Sequence, residues 1–379
     1  MNAEPPPLPP GSAPLLLHVF PSFAVGGAQV RFCALANRFG PRWRHAILAL
    51  DGQTACAERL RPEVAFTLLP PPDLRGHSLP RRLLLIRAML RRIGPDVLVT
   101  GNWGSMEWAM ANLLPPCIHH LHTEDGFGSD EANGQKARRI LTRRLTLRRS
   151  QVALPSTVLL RAARDIWHLP EQRLHHIPNG LDLRRFRADG PLMSLPVPGA
   201  GPVIGTVAAL RPEKNLARLL HACAQLRREG QSLRLVIIGD GPERAALAGL
   251  GHELGLAGSL LLAGHVPNPA AAYRSIDIFA LSSDTEQMPF SVMEAMASRL
   301  PVAATDVGDL RAMLATENLP HLAGRDAASL AEALRPLLGD PELRARLGAA
   351  NRAKAERDYD EETMFQRYAA LIEPSPDHV

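Results

Sequence analysis

Short apolar runs recur along this chain, and most are followed by a helix-length segment before the next run arrives. LLLHVF (15–20), HAILAL (45–50), DVLVT (96–100), CIHHLHT (117–123) and QVALPS (151–156) form a first series. VIGTVAAL (203–210), LRLVIIG (233–239), SLLLAG (259–264), IDIFALSS (276–283) and PVAAT (301–305) form a second. Between them lie segments of helical length such as QVRFCALANRF (29–39), RRLLLIRAMLRRI (81–93) and KARRILTRRLTLRRS (136–150), then 215–229 and 242–254. Strands that alternate with helices build a parallel sheet covered on both faces. The fold class read from this pattern is α/β, with two doubly wound, Rossmann-like parallel-sheet domains in tandem. Such folds bind ligands at the carboxyl ends of their strands, so a cleft between the domains is the expected site.

The stretch DGPLMSLPVPGAGP (189–202) separates the two series and reads as a linker. The expected domains are therefore 14–190 and 202–360, joined by 191–201. A Pro-rich tail, 1–13, is expected to be disordered, and a helix with a short tail occupies 361–379. No repeat of solenoid period is present.

A length of 379 residues suits two moderate domains, and 46% hydrophobic with 21% charged residues suits a globular protein. The net charge of +5 is carried almost wholly by arginine, since Lys occurs only at 136, 214 and 354. A mild basic surplus favours anionic partners such as phosphate, a nucleotide or an acidic membrane face. No nucleic-acid partner is expected, and the chain is read as a monomer. The four cysteines (33, 56, 117, 223) have no metal or CxxC spacing and read as reduced thiols. No apolar run approaches the ~18 residues of a spanning helix, and the first residues lack a basic signal region. The expected location is the cytoplasm, with peripheral contact at the inner face of a membrane as a further possibility.

Chemistry concentrates after the strands. In TEQMPFSVMEAMA, Glu286 lies in a loop, Pro289 stands where a helix begins, and Glu294 lies about one turn inside. A helix start offers free N–H groups to phosphate or sugar oxygens, and paired carboxylates can hold ribose and hexose hydroxyls. In LRPEKN, Arg211 and Lys214 follow VIGTVAAL, where two cations can neutralise a leaving diphosphate. Gly26 and Gly27 follow the first strand and let backbone N–H groups approach a phosphate. His122 lies at the end of the strand in CIHHLHT, with Glu124 and Asp125 behind it, all candidates for contact with a sugar or proton removal. IPNGLD (177–182) reads as a structural turn at the hinge. Arg244 stands where a dinucleotide fingerprint beginning at Gly239 and Gly241 needs its third glycine, which argues against a nicotinamide enzyme. The one Asp-x-Asp, Asp358 and Asp360, has no strand before it, so no metal site is expected.

Taken together, GGAQ, HTED, IPNGLD, RPEKN, IIGDGPE and the E-x7-E of TEQMPFSVMEAMA resemble glycosyltransferase family 4, whose members have the GT-B fold and retain anomeric configuration. The resemblance spans about 15 to 370. It implies that Glu294 holds the nucleotide ribose, Glu286 the donor sugar, Arg211 and Lys214 the diphosphate, and Gly27 a phosphate through its N–H. It implies His122 beside the donor sugar and the backbone of Met288, Pro289, Phe290 and Ser291 completing the sugar pocket. Gly264 and Val266 would flank the base. It further implies a UDP- or GDP-linked donor, no cofactor, no metal, and a glycan or lipid-linked acceptor. A last helix would cross back to the first domain. The sequence departs at Gln287, where many relatives carry glycine, and that bears on which sugar is taken. A nucleotide-sugar epimerase and a non-catalytic nucleotide-sugar-binding relative are the alternatives. Arg-rich 81–92 and 136–150 suggest docking on anionic lipid.

Overall fold

A computed structural model describes residues 8, 11–126, 131, 134–187 and 189–373. Most of the 1–13 tail and the chain after 373 lie outside the described residues. The chain divides into two compact units. Unit 1 runs to Ile177 and takes the chain back from Phe365, and unit 2 is Pro178–Met364.

Unit 1 begins with β1 (Leu15–Phe20), α1 (Gly27–Phe39), β2 (Arg44–Ala49) and β3 (Ala65–Leu69). It continues through α2 (Leu79–Ile93), β4 (Val97–Gly101), α3 (Met106–Ala111) and β5 (His119–Thr123). α4 (Ala137–Thr146), β6 (Gln151–Leu154), α5 (Thr157–Arg161) and β7 (Leu174–His176) follow. The strands are parallel in the order β3-β2-β1-β4-β5-β6-β7.

Unit 2 contains β8 (Val203–Val207), α6 (Leu216–Arg228), β9 (Arg234–Ile238), α7 (Arg244–Glu253) and β10 (Leu260–Gly264). α8 (Ala270–Tyr273), β11 (Ile278–Leu281), α9 (Phe290–Ala297), β12 (Val302–Thr305) and α10 (Leu310–Met313) come next. β13 (Leu322–Ala323), α11 (Ala327–Gly339) and α12 (Pro341–Asp358) precede α13 (Glu361–Ile372), whose later turns belong to unit 1. These strands are also parallel, in the order β10-β9-β8-β11-β12-β13.

The uninterrupted apolar runs follow from burial on two sides. In β9, Leu235 and Ile237 enter one core while Val236 and Ile238 enter the other. Each side chain so buried contributes about 1.5–3 kcal/mol. Both sheets reverse their order beside the first strand, at β1/β4 and at β8/β11. At such a point the crossovers leave in opposite directions, and the loops at the carboxyl ends open a crevice.

Three strands carry no strong run: β3 and β7 lie at edges and are mostly half-buried, and β13 has two residues. The Pro/Gly stretch expected as a linker lies wholly beyond the division at 177/178. Met193 there bonds through its N–H to Ala271 O at 3.2 Å, and Val197 is buried in the unit 2 core. Phe365, Tyr368 and Ile372 of α13 are buried, and His119 Nε2 is hydrogen-bonded to Leu371 O at 2.7 Å. Cys33 and Cys56, distant in sequence, meet with their sulfurs 3.7 Å apart. Both are free, and burial raises both thiols.

Candidate functional site

In unit 2 the two strands at the order reversal carry the charged candidates. The loop after β8 turns past Arg211 and Pro212, and Asn215 at φ 42° caps α6 by accepting from Arg218 N. Left-handed backbone suits asparagine better than most residues. The loop after β11 is laced to it. Asp284 N donates to Glu213 O (2.9 Å), Arg218 Nη2 to Asp284 Oδ1 (2.6 Å), and Ser282 Oγ to Lys214 O (3.0 Å). This bracing brings Lys214 Nζ to 2.6 Å from Glu286 Oε1, which also accepts from Ser283 Oγ at 2.7 Å. Ser283 O in turn accepts from Thr305 Oγ1 on β12 (2.7 Å). Arg211 is exposed, and among the described residues its guanidinium has no ion-pair partner. The result is one cation fixed by a carboxylate and a second left free for an anion.

Two glycines make the loops fit. Gly308, at φ 59°, lies so close to the Glu286 turn that a Cβ would stand 2.3 Å from Glu286 O. Asp309 N beside it donates to Gln287 O at 3.0 Å. Gly239, at φ 142°, has the same role below Ala208, whose oxygen would be 1.8 Å from its Cβ. The glycine-rich turn after β9 thus packs backbone against backbone. Arg244, in the place of a third glycine, donates to Leu262 O (2.9 Å) and stands near Gly264. Gly264 itself takes φ 77° at the end of β10, and Val266 packs half-buried against the core.

α9 starts at Phe290, with Pro289 as its cap residue, and ends at Ala297. Arg299 takes φ 62°, and Gly348 presses so close that a Cβ would stand 2.0 Å from Arg299 O. The first-turn N–H groups at Phe290 and Ser291 fall outside the helical ladder. Met288 points inward: it is buried, its sulfur accepts from Asn179 N, and its carbonyl accepts from Asn179 Nδ2 at 3.3 Å. Only its backbone can therefore face a ligand. Asn179 belongs to IPNGLD, whose Leu181 N bonds Tyr359 O (2.9 Å), as a structural turn requires.

Glu294 lies one turn into α9 and accepts from the hydroxyl of Tyr273 at 2.7 Å. Burial pushes its carboxyl up to about 7, against the lowering effects of the Tyr273 bond and of Arg185. The same burial raises the Tyr273 phenol. An acid poised near neutrality, with one oxygen still to be satisfied, is suited to a pair of hydroxyl donors.

In unit 1, Gly26 caps α1 in extended conformation and Gly27 opens the helix. Gln29 Nε2 ties this turn to Ser22 O at 2.8 Å. His122 is the penultimate residue of β5 and has no exposed surface. Its Nδ1 is hydrogen-bonded to Thr100 Oγ1 (2.8 Å) and its Nε2 to Glu124 Oε2 (3.4 Å). Glu124 accepts from Arg143 Nε at 3.1 Å, and Arg139 Nη1 meets Glu131 at 2.8 Å. His122 thus sits inside a buried polar network, with its nitrogens engaged, where the sequence led us to expect a ring open to a ligand. Asp125 does not join it: its carboxylate takes Arg31 at 2.6 Å, and its N–H donates to Asn102 Oδ1 (2.7 Å).

Tyr273, Ser283, Thr305, Asn102 and Arg143 were not singled out from sequence. Tyr273, Thr305, Asn102 and Arg143 each come from a different element than the motif they support, so no local spacing marks them; Ser283 lies three residues before Glu286, and its bond to that carboxylate shows only in the folded loop. Asp358 is an ion-pair partner of Lys354 and Arg357, and Asp360 caps the start of α13 through Thr363 N.

Comparison with known proteins agrees with this fold. Residues 194–354 match the family model for glycosyl transferases group 1, and residues 25–185 match that for glycosyltransferase family 4. A 2-deoxystreptamine glucosyltransferase of Streptomyces kanamyceticus is 34% identical over 38% of this chain and 40% of its own. A GDP-mannose-dependent alpha-mannosyltransferase of Mycolicibacterium smegmatis is 31% identical over 60% of each chain. The match thus spans from two fifths to three fifths of these relatives. A GDP-mannose-dependent alpha-(1-6)-phosphatidylinositol monomannoside mannosyltransferase of Mycobacterium tuberculosis is 28% identical over 88% of both. Among solved structures, HepE of Anabaena in complex with UDP superposes with a TM-score of 0.77 at 16% identity, over 95% of this chain and 99% of that one. Two parallel-sheet units, the braced cation and carboxylate after β8 and β11, and these matches have one reading: the chain belongs to the GT-B glycosyltransferases of family 4.

Proposed function

We propose that the chain transfers a hexose from a UDP- or GDP-sugar to a lipid-linked or polysaccharide acceptor, with retention of configuration and without a metal. The observation that carries this reading is Lys214 held at 2.6 Å by Glu286 at the order reversal of the unit 2 sheet. Arg211 and Lys214 take up the charge of the diphosphate as the sugar–oxygen bond breaks, the task a metal performs elsewhere. Glu286 then gives its free oxygen to sugar hydroxyls, and Glu294 takes the ribose. The backbone at 288–291, with N–H groups at Met288, Phe290 and Ser291, and Gly27 complete the donor contacts, and Gly264 and Val266 flank the base. The departing phosphate oxygen takes the proton of the incoming acceptor hydroxyl on the same face, which retains the configuration. His122 holds the end of β5 in place through Thr100 and Glu124. Relatives that use GDP-mannose and a neighbour that holds UDP support both donor classes.

The test is a donor screen with product analysis by NMR. An α-linked product from an α-linked donor, formed undiminished in EDTA, is the expected result. An inverted product would sink the reading, and epimerised or free sugar without acceptor would favour an epimerase.

Contact with an anionic membrane remains a proposal for unit 1. Leu84 on α2 (63% exposed) and Leu145 on α4 (62%) stand among exposed Arg81, Arg91, Arg144 and Arg148. Arg87 and Arg143 are buried, so the outer stripe is more amphipathic than the whole helices suggest. Flotation with phosphatidylserine vesicles at low salt should carry the protein upward, and its failure to float would remove the idea.

A further inference from the structure

Five buried polar side chains of unit 1 join into one chain across β4, β5 and the start of β6. Thr100 pairs with His122 in the β4–β5 ladder, and Ser150 immediately precedes β6, whose Gln151 pairs with Leu121. One face of a strand recurs at every second residue, so His120 and His122 point to the same side of the sheet. Ser150 Oγ lies 2.7 Å from His120 Nδ1, and His120 Nε2 lies 2.8 Å from Thr100 Oγ1. Thr100 Oγ1 lies 2.8 Å from His122 Nδ1, and His122 Nε2 lies 3.4 Å from Glu124 Oε2. All five side chains are buried, and Val152, which pairs with His122, belongs to an apolar core.

The proton positions are assigned from the partners. Arg143 donates to both Glu124 oxygens, at 3.1 and 3.5 Å, so Glu124 acts as a carboxylate and an acceptor only. His122 Nε2 must then carry a proton. A neutral imidazole has one N–H, so His122 Nδ1 accepts, and it takes the proton of the Thr100 hydroxyl. The Thr100 oxygen is left to accept from His120 Nε2–H, and His120 Nδ1 accepts from Ser150. Burial, with His122 and His119 beside it, pushes His120 down to about 3, which keeps that ring neutral as the arrangement requires. The reverse direction needs one proton more, on His122 Nδ1. The charges around the chain, Glu124 and Glu131 against Arg139 and Arg143, already balance, so that proton would add an excess cation to a buried cluster.

We propose that this chain runs in one direction, from Ser150 to Glu124, and that Ser150, His120 and Thr100 are positioning residues for the carboxyl end of β5. With both nitrogens committed, the His122 ring is fixed in orientation as well as in protonation. His122 and Arg143 together then hold Glu124, the first residue of the turn after β5, at the end of the sheet where such folds bind their ligands. The kinetic role rests on the glycosyltransferase reading above, and the direction of the chain does not.

The test combines nitrogen NMR of the full chain, labelled at histidine, with kinetics on the donor and acceptor found active in the screen. Near neutral pH both rings should show a protonated Nε2 and a bare Nδ1, with His120→Gln and His122→Gln giving the assignments. Thr100→Val removes the hydroxyl at nearly constant volume. It should leave His122 in mixed tautomers and lower kcat at least about tenfold, with the donor KM changed less than about twofold, since the proposed donor contacts lie mainly in unit 2. Thr100→Ser restores the hydroxyl and should restore both the spectrum and kcat. Ser150→Ala, at the far end, keeps the test open if Thr100→Val does not fold: His120 should lose its single tautomer and kcat should fall about threefold. A proton on Nδ1 of either wild-type ring overturns the direction. An unchanged kcat in the folded variants, a Thr100→Ser enzyme as slow as Thr100→Val, or a donor KM that rises as kcat falls overturns the positioning role. Rings protonated as assigned, in a chain that transfers no sugar from any donor, overturn the transferase reading and the kinetic role with it, and leave the direction of the chain standing.

Discussion

Glu294 concentrates the chemistry of the donor side in one titration. Its carboxyl is raised by burial to about 7, whereas two ribose hydroxyls bind best to the ionised form. Nucleotide affinity should therefore fall as pH drops from 8 through 7 to 5.5, and calorimetry should record proton release on binding near pH 7. Glu294→Gln cannot ionise, so its profile should be flat and its affinity low at every pH. A wild-type affinity independent of pH would count against the ribose role. The sign for folding is opposite to that of a salt-bridged acid. The protonated native form is favoured, so the contribution to ligand-free stability is full below the usual carboxyl value and is lost as pH rises through 7. Lys214→Ala removes the partner of Glu286 and one cation. Charge-assisted bonds of this kind are worth about 1.5–3 kcal/mol, so donor affinity should drop roughly 10- to 100-fold in a binding titration.

At the scale of elements, the loops depend on close backbone approach. Gly308→Ala meets both a left-handed φ and the Glu286 carbonyl. A cost of about 1–3 kcal/mol is expected, with a lowered melting temperature and a displaced Glu286 turn. Activity should fall more than nucleotide binding if that turn reads the sugar, and equal losses would contradict the division. In unit 1, Arg143→Met leaves Glu124 buried with one partner fewer, which should cost about 3–5 kcal/mol in urea unfolding. The same elements show what the sequence could disclose. β8, β9 and β11 were plain because both faces are buried and, Thr206 and Arg234 apart, their positions carry apolar residues or glycine. β3 and β7 were not, since an edge strand needs apolar side chains on fewer positions. Glu286 and Lys214 were legible because each stands in a loop after a strand, and Glu294 because it lies one turn into the helix that follows, where the fold puts ligands. Tyr273, Ser283 and Thr305 were not, because their meaning arises from contacts made only after folding. His122 was visible as a strand-end residue, but its burial depends on Thr100, Glu124 and Arg143 together.

For the whole molecule, α13 is the element whose loss should reach furthest. Phe365, Tyr368 and Ile372 are buried against unit 1, and Glu373 receives Arg42 at 2.6 Å and the Trp43 indole. Ending the chain after residue 364 exposes the apolar surface that these side chains cover, at about 1.5–3 kcal/mol for each. Two calorimetric transitions are expected where unit 1 has lost stability, with the unit 2 transition unchanged and still raised by UDP or GDP. A single transition that shifts as one would show that the units unfold together.

Because unit 1 is closed by residues that follow all of unit 2 in the chain, synthesis imposes an order on assembly. Unit 2 is contiguous and can complete its core as soon as it has left the ribosome. Unit 1, although translated first, must wait with part of its apolar surface uncovered until the final helix emerges. A chaperone acting on the nascent chain would therefore find its longest-lived target in the amino-terminal half, the reverse of the usual sequence in which earlier domains finish first.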